Sequence, residues 1–589
     1  MRLSNVAHLR LPFGRLRGLD VSVAPTGVRL PLSFDQARHA AAGDRPGSWM
    51  AICFTLPAPV DPDRLAAAWL AVIARHGTLR TVMTQEPGEP GGAGALQLHE
   101  AEVTGSAWVD HPIGPGQAVH EALQQVLDRT CTPLSAPAHR LCLLETVLRP
   151  TVVIAADHSH TDMWSMLVIL RDLLSELDGT PSPEAVPAFV EHTRSLVERP
   201  PAPEEVHRRW AEILGASGDV MPRFPLPLGE SGPHPERVEV RDVLDVDESS
   251  ALSAQARADG VSTLSEVVSA MTAITLDMVG EPLRAVFPVH SRYEARWHDA
   301  VGWFIANSVI ESADPDPAAC AAAVKEAVRL GSWPLAEVMA PWGGMPEAPG
   351  MFAVSWLDLR RLPVHVDAAG LEAQYVGAET RPDGVMLWFI LDDSGLHLRC
   401  RYPDTDEARA SVGGWLDALV LALRDRAAAS VRGELHVGER TFRVRRARRE
   451  DVPAMVALLA DDEFGAERED TGDHTRYEKV LDLLSRDRTH LLAVVTDEAG
   501  RVVGTEQLTI IPGLSRAGTT RLQIEGVRIA RTERSGGLGT AMLEWAHEHG
   551  RTRGATLAQL ATDASRTRAH AFYERLGYAP SHIGYKRAL

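Results

Sequence analysis

A histidine and an aspartate four residues apart follow a strongly apolar stretch of the chain. Residues 151–156 are predicted as a buried β-strand, which runs directly into a polar segment that contains His158 and Asp162. His158 is suited to general-base chemistry because an imidazole titrates near neutral pH. Asp162 stands just before a predicted helix, where it would orient the loop or pair with a distant arginine. The alternative is that Asp162 only caps the helix and His158 is a partly exposed histidine.

A second group of chemically suited residues lies near the carboxyl end. The predicted strand 521–530 leads through a glycine-rich turn into a predicted helix over 537–550. Free backbone N–H groups and the helix dipole at such a junction favour an anion such as pyrophosphate, and glycine permits close approach to the backbone. The alternative is that the glycines form only a turn. The segment reads Arg534-Ser535-Gly536-Gly537-Leu538-Gly539-Thr540.

These two groups require separate folding units to position them. A chain of 589 residues is too long for one core and predicts several domains or lobes. A proline-rich connector near 180–205 interrupts the strand and helix patterns, and a compact α/β pattern begins after a junction near 427–439. We therefore predict an α/β (α+β) protein with a first domain over 1–430 (lobes at about 25–180 and 206–430), a linker at 431–440 and a final domain over 441–589.

The composition excludes several classes of function. Acidic side chains outnumber basic ones by 79 to 60, for a net charge of −19, so the chain lacks the basic surplus that nucleic acid requires. No apolar run approaches the ~18 residues of a membrane helix, and the N-terminal segment lacks the apolar core of a signal peptide. We therefore expect a cytoplasmic protein that binds no membrane. The five cysteines are scattered without a CxxC motif, so no metal is expected.

Four ordered segments resemble the motifs of the condensation domains of nonribosomal peptide synthetases, which are HxxxD acyltransferases. The segment around His158 is similar to the HHxxxDG motif, with Asp157 in place of the first histidine and Met163 in place of the glycine. The resemblance covers about residues 25–430. The three other segments are Leu32-Ser33-Phe34-Asp35-Gln36, Arg75-His76-Gly77-Thr78-Leu79-Arg80-Thr81, and the stretch from Pro288 to Asn307 that contains Arg292.

This resemblance implies two lobes of the chloramphenicol-acetyltransferase type with a tunnel between them. It assigns His158 as the catalytic histidine, Asp162 as the structural aspartate and Arg292 as the arginine that pairs with it. The family uses acyl thioesters carried on phosphopantetheine. No carrier domain fits near the junction, so the donor is expected from an acyl or peptidyl carrier protein in trans, or from coenzyme A. Met163 adds bulk beside the implied tunnel.

Residues 441–589 resemble the GCN5-related N-acetyltransferases (GNATs). The glycine-rich turn is similar to the RxxGxG of their motif A, and the segment from Ser565 to Tyr578 is similar to their closing AxxFYExxGF pattern. The resemblance assigns Tyr573 as the proton donor to the leaving thiolate, the alternative being aromatic packing. It assigns Glu525 as a general base, the alternative being an exposed strand carboxylate. It implies that acetyl-CoA is bound by Val527, Ile529, Arg534, Ser535, Gly536, Gly537, Leu538, Gly539 and Thr540.

Taken together, these resemblances predict a bifunctional acyltransferase of natural-product (antibiotic) biosynthesis. The first domain would form an amide or ester from a thioester, and the GNAT domain would acetylate a small-molecule amine. In the alternative hypothesis the first domain is a non-catalytic module that docks a carrier protein, and only the GNAT is active. A third hypothesis is a self-resistance N-acetyltransferase, which leaves the large first domain unexplained.

Overall fold

A computed structural model describes residues 2–86, 94–147, 149–180, 182, 184–461, 466, 468–487, 489–585 and 587. Within these residues the chain forms two compact units. The first comprises the chain up to residue 246 together with 264–421, and the second comprises 247–263 together with 422–589. The predicted mixed α/β class is confirmed. The second unit therefore takes one of its segments from the middle of the chain.

The first unit contains an eight-stranded sheet that carries the His158 segment. Its strand order is β1-β12-β3-β7-β6-β2-β5-β4. Strand β7 lies in its centre and is buried along its whole length, as its unbroken apolar sequence predicts. The strands are β1 (Arg2–Asn5), β2 (Arg15–Leu30), β3 (Trp49–Thr55), β4 (Thr81–Gln85), β5 (Leu96–Asp110), β6 (His139–Glu145), β7 (Thr151–Asp157) and β12 (Gln374–Gly377).

A six-stranded sheet forms the second lobe of the first unit. Its order is β10-β9-β11-β13-β14-β8. Strand β12 departs from this lobe and pairs with β1 and β3 of the first sheet, so the chain crosses between the two sheets. The strands are β8 (Glu236–Leu244), β9 (Leu283–His290), β10 (Ile305–Ser312), β11 (Phe352–Asp358), β13 (Val385–Asp392) and β14 (Gly395–Pro403).

Helices cover the faces of these sheets. Their boundaries follow local signals: Asp61 caps α2 by accepting the N–H of Asp63 at 3.1 Å, with Pro62 at the first helical position. The helices are α1 (Phe34–Ala41), α2 (Pro62–Arg75), α3 (Val119–Thr130), α4 (Met163–Leu177), α5 (Phe189–Val197), α6 (Glu204–Ala216), α7 (Val246–Ala258), α8 (Thr263–Val279), α9 (Pro317–Gly331), α10 (Leu335–Val338) and α11 (Asp406–Ala429). Helix α7 belongs, from Asp247 onward, to the second unit.

The second unit is built on a six-stranded sheet in sequential order from β15 to β20. All neighbouring strands are antiparallel except β19 and β20, which are parallel. The strands are β15 (Val431–Val437), β16 (Arg440–Arg446), β17 (His490–Thr496), β18 (Val502–Pro512), β19 (Thr520–Ile529) and β20 (Leu557–Leu560). The helices are α12 (Val452–Ala460), α13 (Thr475–Arg486), α14 (Ser515–Gly518), α15 (Leu538–Thr552) and α16 (Thr567–Arg575).

Two sequence expectations differ from this architecture. Residues 431–440, expected as a linker, contain strand β15, which pairs with β16 and leaves only Gly438 and Glu439 as the turn. The alternation of polar and apolar residues there is that of a half-buried edge strand. The pattern of the closing residues also predicts a last strand after α16, but residues 577–585 form no strand. The extent of the two domains remains a prediction.

Candidate functional sites

His158 lies on a single turn of 3₁₀ helix, His158–His160, between the end of β7 and the start of α4. Its N–H donates to the carbonyl of Ser48 at 3.0 Å, which fixes the backbone. Its ring centroid lies 4.4 Å from that of Trp303, and its buried Nδ1 has no hydrogen-bond partner among the described residues. Burial lowers the pKa of His158, so the imidazole is neutral at pH 7 and able to accept a proton.

Asp162 and Arg292 form a buried ion pair, each about 2% exposed. Arg292 Nη2 donates to Asp162 Oδ1 at 3.2 Å and to Oδ2 at 3.3 Å. The carboxylate also accepts the N–H groups of Ser165 at 2.7 Å and Phe304 at 3.0 Å, so Asp162 is the N-cap of α4 as well. Its oxygens are fully occupied. The geometry suits Asp162 to fixing the fold around His158 rather than to transferring protons.

The arginine is held on all sides. Arg292 Nη1 donates to the carbonyls of Trp297 and Ala300 at 2.6 Å each, and its guanidinium lies 3.9 Å from the centroid of the Phe304 ring. Burial lowers the pKa of Arg292, while the Asp162 charge opposes that effect. Ser165, which the sequence reasoning did not single out, accepts from Arg292 Nη2 at 2.7 Å.

The two other N-terminal motifs hold the His158 turn and helix α4 in place. Ser33 and Gln36 form a capping box on α1, and Gln36 Nε2 donates to the carbonyl of Ser159 at 2.8 Å. His76 Nε2 and Arg75 Nε both lie 2.9 Å from Asp172 Oδ2 on α4. These motif residues are therefore supports around the site rather than reacting groups.

Asp157, which replaces a histidine of the family motif, is buried and charged. It accepts hydrogen bonds from Ser159, and His39 Nε2 lies 3.3 Å from its carboxylate. Burial opposes ionisation, but the hydrogen bonds from His39 and Ser159 outweigh it and lower the pKa of Asp157 to about 2. Arg45 Nη2 lies 3.1 Å from His39 Nδ1; because a guanidinium only donates, the His39 hydrogen sits on Nε2 and points at Asp157. No sequence motif marked His39.

Met163 is half-buried, and its side chain packs against the apolar core of the eight-stranded sheet. Its carbonyl accepts the hydroxyl of Tyr375 at 2.9 Å. The neighbouring His160 is buried, with Nδ1 2.9 Å from Ser159 Oγ, so it supports the turn. Met163 thus has a packing role of its own next to the His158 turn.

The glycine-rich turn of the second unit presents a row of free donors. The N–H groups of the five residues from Ser535 to Gly539 donate to no other atom of the described residues. Ser535 and Gly537 have positive φ values of 66° and 101°, and Gly537 is the N-cap of α15. Successive unpaired N–H groups at a helix N-terminus suit an anion, and the turn therefore fits the pyrophosphate of a coenzyme A thioester.

Several residues that the family resemblance assigns to acetyl-CoA binding also make contacts within the protein itself. Arg534 Nη2 pairs with Asp461 Oδ2 at 2.7 Å, and its Nε donates to the carbonyl of Ile529 at 2.9 Å. A Cβ atom on Gly539 would lie 2.9 Å from Ile529 Cδ1 and 3.3 Å from Phe572 Cζ. Gly539 thus lets α15 pack closely on β19 and α16, in addition to any approach of a ligand. Val527 is half-buried against the same apolar cluster, and Leu538 and Thr540 lie in the first turn of α15.

Strand β19 is irregular where the predicted base and the ligand-binding residues lie. Thr505 pairs with Arg528 and Gln507 with Glu525, so Gly526 and Val527 form a bulge opposite Glu506, with Gly526 at φ 61°. Pairing with β20 ends at Ile524, so residues 525–529 have no neighbour from β20. Strands β19 and β20 are therefore no longer paired beside the bulge.

Tyr573 and Glu525 are on different faces of this sheet. Tyr573 packs in the apolar cluster beneath α15, and burial raises its pKa, so the phenol is protonated at pH 7. Glu525 is exposed and pairs with Gln507, the neighbour of Glu506 on β18. Because successive strand residues face opposite sides, Glu525 lies away from the face that Glu506 shares with Tyr573.

Glu506 is a functional candidate that the sequence reasoning missed. It is fully buried, neither of its oxygens has a hydrogen-bond partner among the described residues, and burial raises its pKa to about 8. It pairs with Ala493, a member of the apolar cluster that Tyr573 joins. Its charge contributes to the raised pKa of Tyr573 and of Tyr578. A lone glutamate within a strand carries no motif, so only the three-dimensional structure reveals it.

A two-lobed α/β unit with a histidine after a central strand, followed by a GNAT-like sheet, defines a class of acyltransferases. The chain belongs to the condensation-domain family: the model described as Condensation domain matches residues 31–329, and the model described as Acetyltransferase (GNAT) family matches residues 453–578. The chain therefore combines a condensation-type acyltransferase domain with a GNAT domain.

Curated relatives include nonribosomal peptide synthetases. The synthetase ivoA of Emericella nidulans is 28% identical over 33% of this chain and 11% of its own length. The probable non-canonical synthetase CymA of Salinispora arenicola is 25% identical over 49% of this chain and 4% of its own length. The chain thus spans about a tenth or less of the length of these two relatives.

Solved structures share the two-lobed fold. PapA2 acyl transferase matches with a TM-score of 0.63 at 18% identity, over 72% of this chain and all of that one. The epimerization domain of tyrocidine synthetase B matches with a TM-score of 0.53 at 15% identity, over 69% of this chain and 97% of that one. At these identities the likeness concerns the fold alone.

Within the described residues, no helix is both long and apolar enough to cross a membrane. Nor does that part of the chain bring three His, Cys, Asp or Glu side chains together in a way that would hold a metal ion. The five cysteines are buried free thiols.

Proposed function

We propose that the first domain joins an acyl group, delivered as a thioester on a carrier protein or coenzyme A, to an amine or hydroxyl. The observation that carries this proposal is the buried Asp162–Arg292 pair, which fixes the turn on which a neutral His158 lies. His158 would take the proton of the nucleophile as its nitrogen or oxygen attacks the thioester carbon. The new bond to carbon forms, the C–S bond breaks, and the thiolate receives the proton from the histidine.

The test uses His158→Ala in the full-length protein, with carrier-bound and coenzyme A-bound acyl groups offered to a panel of amines and alcohols. Mass spectrometry should detect an amide or ester with the natural protein and none with His158→Ala. An unchanged melting temperature would show that the variant is folded. Wild-type activity in His158→Ala would contradict this mechanism.

The second candidate function, a docking module without chemistry of its own, is favoured by Asp157 and Met163. A charged carboxylate replaces one motif histidine, and a methionine packs beside the turn where the motif has glycine. If Met163 keeps substrates from His158, Met163→Gly should gain a condensation activity that the natural protein lacks. Activity already present in the natural protein would exclude this candidate.

We propose further that the GNAT domain transfers an acetyl group to an amine of a natural-product pathway, or to a toxic amine in self-resistance. Acetyl-CoA, when bound, would supply the acetyl thioester. The free N–H groups from Ser535 to Gly539 would hold its pyrophosphate, with Val527, Ile529 and Thr540 beside the turn. Tyr573 holds a proton on its hydroxyl at pH 7 and is our candidate donor to the leaving thiolate.

Two carboxylates are candidates for removing the proton of the incoming amine. Glu525 remains the candidate implied by the family resemblance, but it is exposed and lies on the face away from Tyr573. Glu506 is buried on the Tyr573 face, and its pKa of about 8 leaves it largely protonated at pH 7, so it would act as the base in its ionised form, which becomes the major form above pH 8. We therefore favour Glu506. The rate of acetyl transfer should fall in Glu506→Gln and change little in Glu525→Gln; the reverse result would restore Glu525.

A further inference from the structure

Two arginines of β14 stack on one tryptophan. Arg399 and Arg401 alternate on the strand and so share a face of the six-stranded sheet. Their guanidinium carbons lie 4.8 Å and 5.4 Å from the centroid of the Trp388 ring on β13. Arg399 is only 4% exposed. The two positive charges are therefore close together and largely removed from water.

Neither guanidinium has an acidic partner within the described residues. Arg399 Nε and Nη2 and Arg401 Nε are buried without an acceptor among the described residues, and Arg401 Nη2 hydrogen-bonds to the sulfur of Met386 at 2.8 Å. Glu236 is close enough to favour both charges, but its oxygens accept hydrogen bonds from Asn5 and Thr380. Burial and the charge of Arg401 lower the pKa of Arg399 to about 10. Two largely buried cations therefore share one nearby carboxylate that hydrogen-bonds to neither, and several of their donors are unused.

Strand register relates these cations to His158. The Arg399 Nη2 atom lies 3.6 Å from the position that a Cβ on Gly377 would occupy. Gly377 pairs with Met50, and Met50 pairs with Ala156, two residues before His158. Two strand spacings separate Gly377 from Ala156 by about 10 Å, and directly paired residues face the same side. Arg399 therefore lies next to the paired residues Gly377, Met50 and Ala156 of the eight-stranded sheet, the last of which is two residues before His158.

We propose that Arg399 and Arg401 bind an oxyanion of the substrate on which His158 acts, a carboxylate or a phosphate. The planar, five-donor fork of arginine matches the two oxygens of either group, and Trp388 holds both forks in a fixed orientation. This proposal rests on the proposed function of the first domain. The anion has two sources with the same chemistry: a carboxylate on the acyl donor or acceptor, or the phosphate of a pantetheine arm.

The first test measures anion binding rather than catalysis. Full-length protein is titrated with sodium phosphate and, separately, with sodium acetate, each at constant ionic strength set with sodium chloride, and the melting temperature is followed. We expect a saturable rise with one of the two anions. Arg399→Met or Arg401→Met should weaken that binding by roughly 10- to 100-fold, because charge-assisted hydrogen bonds are lost. The matched control is Arg361→Met, an exposed arginine outside this group; any general stabilisation by phosphate should persist in all variants.

A second readout separates this site from a purely structural role. Without anion, Arg399→Met should raise the melting temperature, because one of two uncompensated buried charges is removed. A structural role for the Trp388 stack requires a fall instead, and a fall would overturn the proposal. The proposal would also be overturned if both variants bound both anions as tightly as the natural protein does, or if the natural protein showed no saturable binding.

Saturation by phosphate alone assigns the pantetheine arm, and saturation by acetate alone assigns a substrate carboxylate. If His158→Ala abolishes condensation while the anion tests fail, only this inference is lost, and the proposed function stands.

Discussion

Asp162 Oδ2 accepts the backbone N–H of Phe304 at 3.0 Å, although 142 residues separate the two along the chain. The same carboxylate starts helix α4 and neutralises Arg292. One side chain of the first lobe therefore fixes a loop of the second lobe next to His158. We therefore expect Asp162 to hold the geometry of the site rather than to transfer a proton.

Loss of either member of the buried pair should destabilise the first unit. Asp162→Ala leaves the Arg292 guanidinium buried without its counterion, so we expect a loss of about 3–5 kcal/mol, and Arg292→Ala should be similar. His158→Ala should melt close to the natural protein, because the Nδ1 atom of His158 has no hydrogen-bond partner among the described residues. Thermal and urea unfolding of the full-length variants measure this. Equal stability of Asp162→Ala and the natural protein would refute the structural role.

The stability of the second unit should depend on pH through Glu506. Its pKa is about 8 in the folded protein against an ordinary 4.5, so between these values the folded state holds a proton that the unfolded state has released. The free energy of unfolding should therefore fall by about 3–5 kcal/mol as pH rises from about 4.5 to about 8. Above that pH it should level off. Glu506→Gln should remove this part of the pH profile and be the more stable protein at pH 9. Identical profiles for the two proteins would show that Glu506 is not buried as a free acid.

Two glycines of the turn should differ in their tolerance of a methyl group. Gly539→Ala places Cβ against Ile529 and Phe572, so it should cost about 1–3 kcal/mol and weaken acetyl-CoA binding as α15 moves. Gly536→Ala is the control for stability, because the nearest protein atom to its Cβ, the carbonyl oxygen of Glu533, is 3.6 Å away. Differential scanning calorimetry and calorimetric titration with acetyl-CoA measure both effects. A larger loss in Gly536→Ala than in Gly539→Ala would be inconsistent with this packing.

Tyr573→Phe should separate binding from turnover. Removing the hydroxyl keeps the ring in its apolar cluster, so acetyl-CoA affinity should hold while turnover falls by on the order of 10²–10⁴, if acid catalysis limits the rate. Tyr578→Phe is the matched control, since its hydroxyl lies 2.6 Å from His547 Nε2 and serves that contact. Steady-state kinetics at saturating acetyl-CoA decide the matter. Full turnover in Tyr573→Phe would remove this residue from the mechanism.

Asp247 should be needed for the second unit, although it lies near the middle of the chain. Its carboxylate, on α7, pairs with Arg432 and lies 3.6 Å from Arg446 and 3.0 Å from Arg553. Asp247→Ala removes the acid that these three arginines share, so we expect a loss of about 3 kcal/mol or more. Thermal unfolding of the full-length protein, with bound acetyl-CoA as a marker of the second unit, measures it. A fragment of residues 436–589, which lacks α7 and all but the last two residues of strand β15, should then be less stable than the same unit in the whole chain; equal stability would contradict this.

The sequence was most informative where a signal is local. The apolar run of β7, the strand predicted at 521–530 and the helix predicted at 537–550 lie within about two residues of the observed elements, because capping and periodicity act over a single turn or strand. Helix α13 (Thr475–Arg486) was not predicted. Four motifs also placed His158, Asp162 and Arg292 together, and the structure brings the last two into contact.

Partners from distant segments were not predictable in this way. His39 reaches Asp157 only because α1 packs on the His158 turn, and nothing in its own segment indicates this contact. Glu506 is fully buried and has no hydrogen-bond partner in the described part of the chain, and both are properties of the folded sheet. The pairing of β15 with β16 was missed because the stretch 431–440 was interpreted as an interval between two complete family patterns.

The dependence of the second unit on residues 247–263 affects the order of events during synthesis. These residues leave the ribosome about 160 residues before the rest of their unit begins at 422, an interval of roughly 10–30 s at ordinary elongation rates. During that time Asp247 on α7 lacks all three of its arginine partners, which follow at 432, 446 and 553, and for most of it the first unit is still missing the β14 strand of its own sheet. The two units therefore approach completion within the final third of translation.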